Sequence, residues 1–195
     1  MDIGYDARKL LNALSQTANA QAMLLTFCVP IDTNDVSEIL LRNLQAGTFQ
    51  HEFILQDLEN QFPNYSNIAI NGDCAVFVPM VSKLWNGKQS LEYQEISKNT
   101  FKEHLMDLLC GGQIYKIKRP LAQSTANKIV NEWFGRLNEQ EWQVFWIKPD
   151  FLYTTKQAKD SGHIFMGYFE NFGRDVSIAI KTKEAIYLLL VNGYC

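Results

Sequence analysis

Cysteine and histidine are the residues of this sequence best suited to nucleophilic chemistry. The chain has four cysteines and three histidines. A catalytic Cys–His pair needs a partly exposed thiolate that an imidazolium stabilises, with a carboxylate as the third member. His104 lies six residues before Cys110, so on one helix their side chains would not share a face. A pair that included Cys74 or His163 would have to assemble from distant segments. We therefore favour a structural role for these cysteines over a catalytic one.

The spacing of the cysteines indicates free thiols. Cys28, Cys74 and Cys110 lie in apolar stretches, no two cysteines form a C-x-x-C pair, and Cys195 ends the sequence without a prenylation motif. Unpaired cysteines are among the most buried residue types, and disulfides are rare in reducing compartments. We expect buried, reduced thiols rather than a disulfide or metal set, and a cytoplasmic location. The acidic N-terminal residues, which precede no apolar region, predict no secretory signal.

Two other clusters have side chains that could hold a ligand. Glu139 and Glu141 would point to the same side of a strand, where they could bind a metal or a basic side chain, although a solvated loop would carry the same acids. Tyr115–Arg119 would place Lys116 and Lys118 on one strand face beside an aromatic ring, which can hold single-stranded nucleic acid. An edge strand protected by lysine explains this cluster as well, and we favour that interpretation.

The sequence contains no motif for a cofactor or a metal. It has no G-x-x-x-x-G-K-[ST] phosphate loop, G-x-G-x-x-G, H-E-x-x-H, G-x-S-x-G or EF-hand loop. We therefore expect neither a cofactor nor a metal. The longest apolar runs, such as Ala185–Val191, are much shorter than the roughly 18 residues that span a bilayer, so we expect no membrane partner.

The charge distribution points most directly to a partner. Residues 1–82 contain three basic and nine acidic residues, whereas residues 83–195 contain fifteen basic and twelve acidic residues. An acidic first half disfavours contact with a phosphate backbone and favours a basic partner. We therefore expect a basic protein partner and do not expect nucleic acid. Ordinary compositional scatter is the alternative explanation of this asymmetry.

Helical periodicity places several of the acids on exposed faces. Asp35 and Glu38 would lie opposite an apolar stripe, and Glu38 has ion-pair spacing to Arg42. If residues 48–62 are helical, Glu52, Gln56 and Glu59 would line a second exposed face, and three acids after Trp142 are also expected to be exposed. A solubilising surface is the alternative to a binding role. The candidate partner-binding residues are Asp35, Glu38, Glu52, Glu59, Asp150, Glu170 and Asp175.

Apolar periodicity and turn residues predict the elements that position these groups. A first helix is expected after Asp6, and a second after residues 32–34 up to Gly47. Residues 48–62 are expected to form a helix, with a strand as the alternative. Two more helices are expected, one from the capping box Thr100-x-x-Glu103 to Gly111-Gly112 and one over Ser124–Leu137. Strands are expected over Ala22–Val29, on both sides of Asn71-Gly72, and over Leu91–Ile96, Gln113–Lys118, Trp142–Ile147, His163–Phe169, Val176–Ile180 and Ala185–Val191. Trp133 and Phe134 are expected to anchor the last helix on the sheet.

These elements predict a single α+β domain over residues 1–195. The helices lie mainly in the first two-thirds of the chain and pack on a mostly antiparallel sheet. The last three strands are joined by links too short for crossover helices, so they predict a C-terminal three-stranded meander.

The stretch Gly167–Ile180 resembles the strand–turn–strand ends of bacterial immunity proteins, which neutralise contact-delivered or secreted toxins. The resemblance is to the class and transfers no functional residues. It implies a stoichiometric inhibitor that blocks a toxin's active site or substrate surface, and the toxin is often a basic nuclease. The leading hypothesis is such a protein-binding module. The alternatives are an enzyme of another family that acts on a nucleotide or nucleic acid, and a structural or regulatory subunit of a phage or plasmid system.

Overall fold

The computed structural model describes residues 7–18, 20–49, 51–53, 56, 87–111, 119–151 and 175–193. In these residues the helices are α1 (Arg8–Ala18), α2 (Val36–Ala46), α3 (Lys98–Cys110) and α4 (Gln123–Leu137), and the strands are β1 (Ala20–Cys28), β2 (Tyr93–Ile96), β3 (Trp142–Ile147), β4 (Val176–Thr182) and β5 (Ala185–Gly193). Residues 48, 49, 51–53 and 56 are also helical. The expected α+β class is confirmed. Among the helices that the structure describes, none combines the length and the apolar character that a membrane crossing requires.

All of the described strands belong to one antiparallel sheet with the order β1-β5-β4-β3-β2. Only Lys183 and Glu184 separate β4 from β5, and the two strands pair from Val176 opposite Val191 to the start of β5. Thr182 closes this hairpin, because its hydroxyl donates to the Ala185 carbonyl at 3.0 Å and accepts the Ala185 N–H at 3.1 Å. The predicted hairpin between the last two strands is confirmed.

Residues 163–169, the predicted first strand of the meander, lie outside the described residues. β4 has β5 along one edge and β3 along the other, with Val144 of β3 opposite Ile180. The sheet therefore pairs β4 with a strand that ends many residues earlier, a long-range pairing that the sequence did not predict.

Helices cover both faces of the sheet. On one face α1, α3 and α4 pack against alternate strand residues, including Leu24, Val144 and Ile178. On the other face α2 and the helical residues that follow it, including Phe49, pack against the intervening residues such as Leu188. The fold therefore has three layers, with the sheet in the middle.

Two-sided burial explains the composition of the central strands. The side chains of residues 176–180 in β4 and 186–191 in β5 are all buried. A strand covered on both faces has no solvent-facing side, so its sequence is continuously apolar rather than alternating. β4 departs from this pattern at three residues: Ser177 and Thr182 are polar but buried, and Lys181 is charged and half-buried.

Hydrogen bonds at its two ends determine the length of α2. Asp35 is the N-cap, and its carboxylate accepts the Glu38 N–H at 2.7 Å. Gly47 ends the helix with φ of 80°, a left-handed conformation that glycine adopts without steric cost, and its N–H donates to the Leu44 carbonyl at 3.3 Å. The sequence therefore predicted the end of α2 correctly but proposed residues 32–34 for the start.

The N-cap of α3 is Ser97, so the predicted capping box that began at Thr100 is wrong. The Ser97 hydroxyl accepts the Thr100 N–H at 3.0 Å, and the helix begins at Lys98. β2 ends at Ile96, which leaves only one residue before the helix. Thr100 therefore lies within the first turn, although it has the residue type of a cap. Gly111 follows the helix at φ of 74°, as predicted.

Two side chains of the β1 region are placed differently from expectation. Cys28 is exposed, because the helices cover Ala22 and Leu24 on that face but leave Thr26 and Cys28 beyond them uncovered. Gln56 was expected on an exposed face but is half-buried. Its amide accepts the Leu24 N–H at 3.2 Å and donates to the Leu24 carbonyl at 2.8 Å, which satisfies both backbone groups at the outer edge of β1.

An aromatic cluster anchors α4 on the sheet. Trp133 has only 2% of its surface exposed, and its ring centroid lies 5.9 Å from that of Phe101. Phe134 is half-buried rather than fully buried, and its ring contacts Phe101 and Trp142, each at 5.5 Å. The Trp133 Nε1 atom is buried and has no hydrogen-bond partner in the described part of the chain. Apolar packing therefore accounts for the role of Trp133.

We expect Trp133→Ala to lower the free energy of unfolding by about 3–5 kcal/mol, because it removes a large buried ring. Trp133→Phe should cost much less, since it keeps an aromatic ring and removes a buried N–H that lacks a described acceptor. Asn131→Ala, an exposed position on the same helix, should change the value by no more than about 0.5 kcal/mol. Denaturant unfolding measures all three. A loss below about 1 kcal/mol for Trp133→Ala would contradict the described packing.

We also expect four free thiols when the protein is denatured without reductant and titrated. Cys28 and Cys110 are free, and the other two cysteines lie outside the described residues. In the native protein Cys28 should be alkylated before Cys110, because Cys28 is exposed, whereas burial, followed by the charge of Asp107, raises the pKa of the half-buried Cys110 thiol. Peptide mapping after brief alkylation measures the order. A count of two or zero free thiols would contradict the prediction.

Candidate functional site

Asp35 organises the surface at the start of α2. One carboxylate oxygen caps the helix, and the other accepts a hydrogen bond from the Tyr93 hydroxyl at 2.6 Å. This Tyr93 bond is the main reason that the pKa of Asp35 lies below its ordinary value, and backbone N–H groups of α2 contribute. The same bond raises the pKa of Tyr93. A second contact, from the Leu91 N–H to the Ser37 hydroxyl at 3.0 Å, also joins this end of α2 to the segment that leads into β2.

Asp32, Glu38 and Arg42 form a charged network beside Asp35. Arg42 donates two hydrogen bonds to Asp32, at 2.8 and 3.0 Å, and one to Glu38 at 2.6 Å. The predicted Glu38–Arg42 ion pair is therefore confirmed. The Thr33 hydroxyl donates to the other Glu38 oxygen at 2.5 Å.

These contacts keep both acids of the network ionised. The pKa of Asp32 is lowered chiefly by its hydrogen bonds from Arg42, and the pKa of Glu38 is lowered by Thr33 first and Arg42 second. The pKa of Arg42 is raised by the two carboxylates. Asp32 and Glu38 nevertheless keep 64% and 46% of their side-chain surface exposed, so an approaching protein could contact them.

The loop between β1 and α2 carries an exposed apolar side chain, Ile31. Ile31 has a relative exposure of 108%, and Tyr93 has 41%. Within the described part of the chain these are the large hydrophobic residues that solvent reaches most. We call Ile31, Asp32, Asp35, Glu38 and Tyr93 the Ile31 surface. It combines an exposed isoleucine with three carboxylates. The helix α2 and the strand β2 connect its backbone to the core.

The structure places the other predicted partner-binding residues elsewhere or in more covered positions. Glu52 is half-buried, and its carboxylate lies 3.8 Å from the His51 ring nitrogen Nδ1. Asp150 was expected to be exposed but is half-buried in ion pairs with Lys88 and with Lys148, the latter at 3.4 Å. Asp175 is also half-buried, directly before β4. Glu59 and Glu170 lie outside the described residues.

The described residues among the catalytic candidates have no arrangement that activates them. The raised pKa of Cys110 disfavours the thiolate form that a nucleophile needs. The His104 ring packs against Trp146 at 5.2 Å. Glu139 and Glu141 lie before β3 rather than within a strand, and Glu139 binds Arg136 at 3.0 Å.

Metal and nucleic-acid sites considered in the sequence receive no support from the described residues. Across these residues no group of three or more His, Cys, Asp or Glu side chains is placed to hold a metal ion. The cluster Tyr115–Lys118, together with Cys74 and His163, lies outside the described residues. Arg119 is described and is exposed.

The sequence did not identify three members of the Ile31 surface, Ile31, Asp32 and Tyr93, as candidate binding residues. It also did not identify Asp35 as the N-cap of α2. Ile31 carries no periodic signal, since it lies in a loop after Pro30. Asp32 was considered only as a helix cap, and Tyr93 reaches Asp35 across 58 positions of the chain. The structural role of Asp35 was detectable, because an aspartate directly before an apolar helical stripe is a preferred N-cap.

Comparison with protein-family models, curated proteins and solved structures finds no match to this chain. The function of the Ile31 surface is therefore inferred from its own geometry.

We expect Asp35→Ala to lower the free energy of unfolding at neutral pH by about 1–2 kcal/mol, because it removes a helix cap. Asp35→Asn should cost less, since its side-chain oxygen can still accept the Glu38 N–H. The pKa of Asp35 is lowered in the folded protein, so its stabilising effect is complete above the unfolded value of about 3.9 and is lost as pH falls through the folded value. The difference between wild type and Asp35→Asn should therefore shrink below about pH 4.

Denaturant unfolding at several pH values measures these effects. Asp32→Ala is the control, because it removes a neighbouring exposed carboxylate that caps no helix, and it should leave stability nearly unchanged. Equal losses for Asp35→Ala and Asp32→Ala would contradict the capping role.

Proposed function

We propose that this protein is a protein-binding module that recognises a basic protein partner through the Ile31 surface. The most plausible biological form is an immunity-type inhibitor that binds and neutralises a toxin, consistent with the class resemblance in the sequence. Ile31 and Tyr93 are exposed to solvent rather than enclosed, so this surface favours contact with a macromolecule over turnover of a small substrate, which a pocket would enclose.

The observation that carries this proposal is the full exposure of Ile31. Burying an isoleucine side chain stabilises a protein by about 1.5–3 kcal/mol, and this chain buries nearly all of its other described large apolar residues. A single exposed apolar residue is ordinary on a protein surface. Ile31 differs because its chain neighbour Asp32 belongs to an ordered charged network with Arg42 and Glu38, and because Asp35, four residues further on, binds the half-exposed Tyr93. An apolar anchor inside a polar rim is the usual anatomy of a protein interface.

The charges of the Ile31 surface support a basic partner. The surface has three carboxylates, of which Asp32 and Glu38 share the single guanidinium of Arg42, and the pKa values of Asp32, Asp35 and Glu38 are all lowered. These groups therefore remain anionic well below neutral pH. Hydrogen bonds already hold them in place, so binding would cost less side-chain entropy than ordering free acids would.

The proposal includes a reducing, cytoplasmic compartment. Its support is the free thiol of Cys28, which is exposed and unpaired in the structure. Free exposed thiols are better tolerated where glutathione and thioredoxin keep them reduced.

The test is affinity capture from the native host with wild-type protein, Ile31→Ser and Asp32→Lys. We expect wild type to retain one dominant basic protein, and its purified form should associate more slowly as salt rises. Ile31→Ser should raise the dissociation constant about tenfold or more, since it removes a central apolar contact. Asp32→Lys should act mainly on the association rate. Glu103→Lys is the charge-matched control on α3, across the sheet from α2, and should bind as wild type does.

Each variant must first show a wild-type melting temperature, so that a loss of binding is not a loss of folding. Equal binding by wild type, Ile31→Ser and Asp32→Lys would overturn the proposed surface. Capture of no protein, together with turnover of a nucleotide or nucleic acid, would instead favour the enzyme hypothesis.

A further inference from the structure

The strands β1 and β2 form the two edges of the described sheet, and they differ in how they are protected. An edge strand presents N–H and C=O groups that can pair with another chain, so natural edges are usually short, charged, bulged or interrupted by proline. β2 is only four residues long and carries Glu95. β1 has nine residues, Ala20–Cys28, with no charged residue and no proline, and its register with β5 contains no bulge. β1 therefore lacks the usual protection of an edge.

Alternate residues of β1 turn their backbone groups away from the sheet. Leu24 is one of them, because its N–H and C=O bond to the Gln56 amide rather than to β5. Val29, just beyond the strand, donates inward to the link before β5 at 2.9 Å, so odd-numbered residues face β5 and even-numbered residues face outward. Thr26 and Cys28 therefore present their backbone groups at the outer edge, and their side chains are exposed. No described residue bonds to these outward groups of Thr26 and Cys28.

The Gln56 amide occupies the position of a residue in a neighbouring strand. Its oxygen accepts the Leu24 N–H at 3.2 Å, and its nitrogen donates to the Leu24 carbonyl at 2.8 Å. Two opposed residues of an antiparallel ladder exchange the same pair of hydrogen bonds. Leu24 is the central residue of β1. Gln56 therefore blocks the ladder position from which a second strand could pair in both directions along β1.

We propose that the outer edge of β1 is a strand-pairing surface for a second copy of this chain, and that Gln56 keeps this surface closed. Two copies of β1 can pair antiparallel about a twofold axis at Leu24, with all nine residues overlapping. The Leu24 of each copy would then take the hydrogen bonds that Gln56 now makes.

The composition of β1 favours a copy of itself as the occupant. An uncharged strand meets no charge repulsion from its copy, and residues 22–28 have the apolar, proline-free composition of segments that pair with themselves. Pairing through β1 needs no other protein and does not depend on the Ile31 surface.

Backbone amide exchange, measured residue by residue by NMR at low protein concentration, tests the closure. We expect the Leu24 amide to exchange about fivefold faster or more in Gln56→Ala than in wild type, the effect of losing one ordinary hydrogen bond. Gln56→Met keeps the length of the side chain but loses both bonds, so it should behave as Gln56→Ala does. The Leu25 amide faces β5 and should be unchanged. Equal Leu24 exchange in wild type and both variants would overturn the role of Gln56.

Sedimentation equilibrium over a range of protein concentrations tests the pairing. We expect wild type to keep one mass, whereas Gln56→Ala and Gln56→Met should rise toward twice that mass as concentration increases. In the concentrated variants the Leu24 amide should exchange slowly again, because the second copy now binds it. Gln123→Ala is the matched control, since it removes an exposed glutamine at the start of α4, and it should sediment as wild type does.

A second substitution assigns the association to β1. Thr26→Pro removes an outward N–H and leaves the ladder with β5 intact, because the odd-numbered residues form that ladder. The double variant Gln56→Ala/Thr26→Pro should therefore return to the wild-type mass. Thr26→Lys adds a charge to the edge and keeps the backbone, so it replaces the proline variant if proline lowers the melting temperature. Melting temperatures verify that every variant compared is folded.

Three sedimentation results would overturn the proposal. One is wild-type behaviour of both Gln56 variants at every concentration. Another is equal association of Gln56→Ala with and without the Thr26 substitution, which would place the contact away from β1. The third is association of Gln123→Ala to the same extent, which would show that loss of any surface glutamine promotes self-association.

Discussion

Strands β4 and β5 lie in the middle of the sheet with both faces covered, and the other elements are arranged to maintain this burial. A backbone hidden from water must form its hydrogen bonds internally, so β1 and β3 have to flank the pair. The apolar residues on each face then require a helical layer. α1, α3 and α4 supply one layer, and α2 with the helical residues after it supplies the other. The Ile31 surface lies at the loop before α2 and at the edge strand β2, because the described side chains of β4 and β5 are all buried or half-buried apart from residues 192 and 193, whose side chains are not described.

Asp35 connects the second helical layer to the edge of the sheet. It starts α2 and holds Tyr93 of β2, so one carboxylate determines both where the helix begins and how it lies against β2. The loop before it turns away from the sheet and carries Ile31 into solvent. Because Asp35 already has two partners, it shapes the Ile31 surface rather than offering a free charge. Asp32 and Glu38 are the acids that a partner would meet.

The elements that depend on local pattern could be predicted from the sequence, and the long-range contacts could not. α4 followed from helical periodicity, and the β4–β5 hairpin followed from a link too short for a crossover helix. The continuous apolar run in β5 is typical of a strand that is covered on both faces. The expected fold was based on the order of helices and strands and did not include a second covering layer. The caps of α2 and α3 were misplaced because several polar residues of similar cap propensity precede each helix. For α3, the end of β2 at Ile96 leaves Ser97 as the cap. The partner of β4 and the contact of Gln56 with β1 depend on packing that no local pattern contains.

Net charge by halves of the chain was an incomplete guide to the candidate sites. Exposed charges act over about 8–10 Å at physiological ionic strength, so the pairing of neighbours matters more than the total of −3. Several acids of the first half are partly neutralised by Arg42 or committed to Tyr93. In the second half, Lys181 of β4 lies on the face of the sheet that α2 covers, and it donates to the Asn34 backbone carbonyl at 2.5 Å. The chain neighbour of Asn34 is Asp35, and Lys181 contributes to the low pKa of the Asp35 carboxyl. A cation from the second half of the chain therefore helps to balance the carboxylate that begins α2, which a charge total for each half does not reveal.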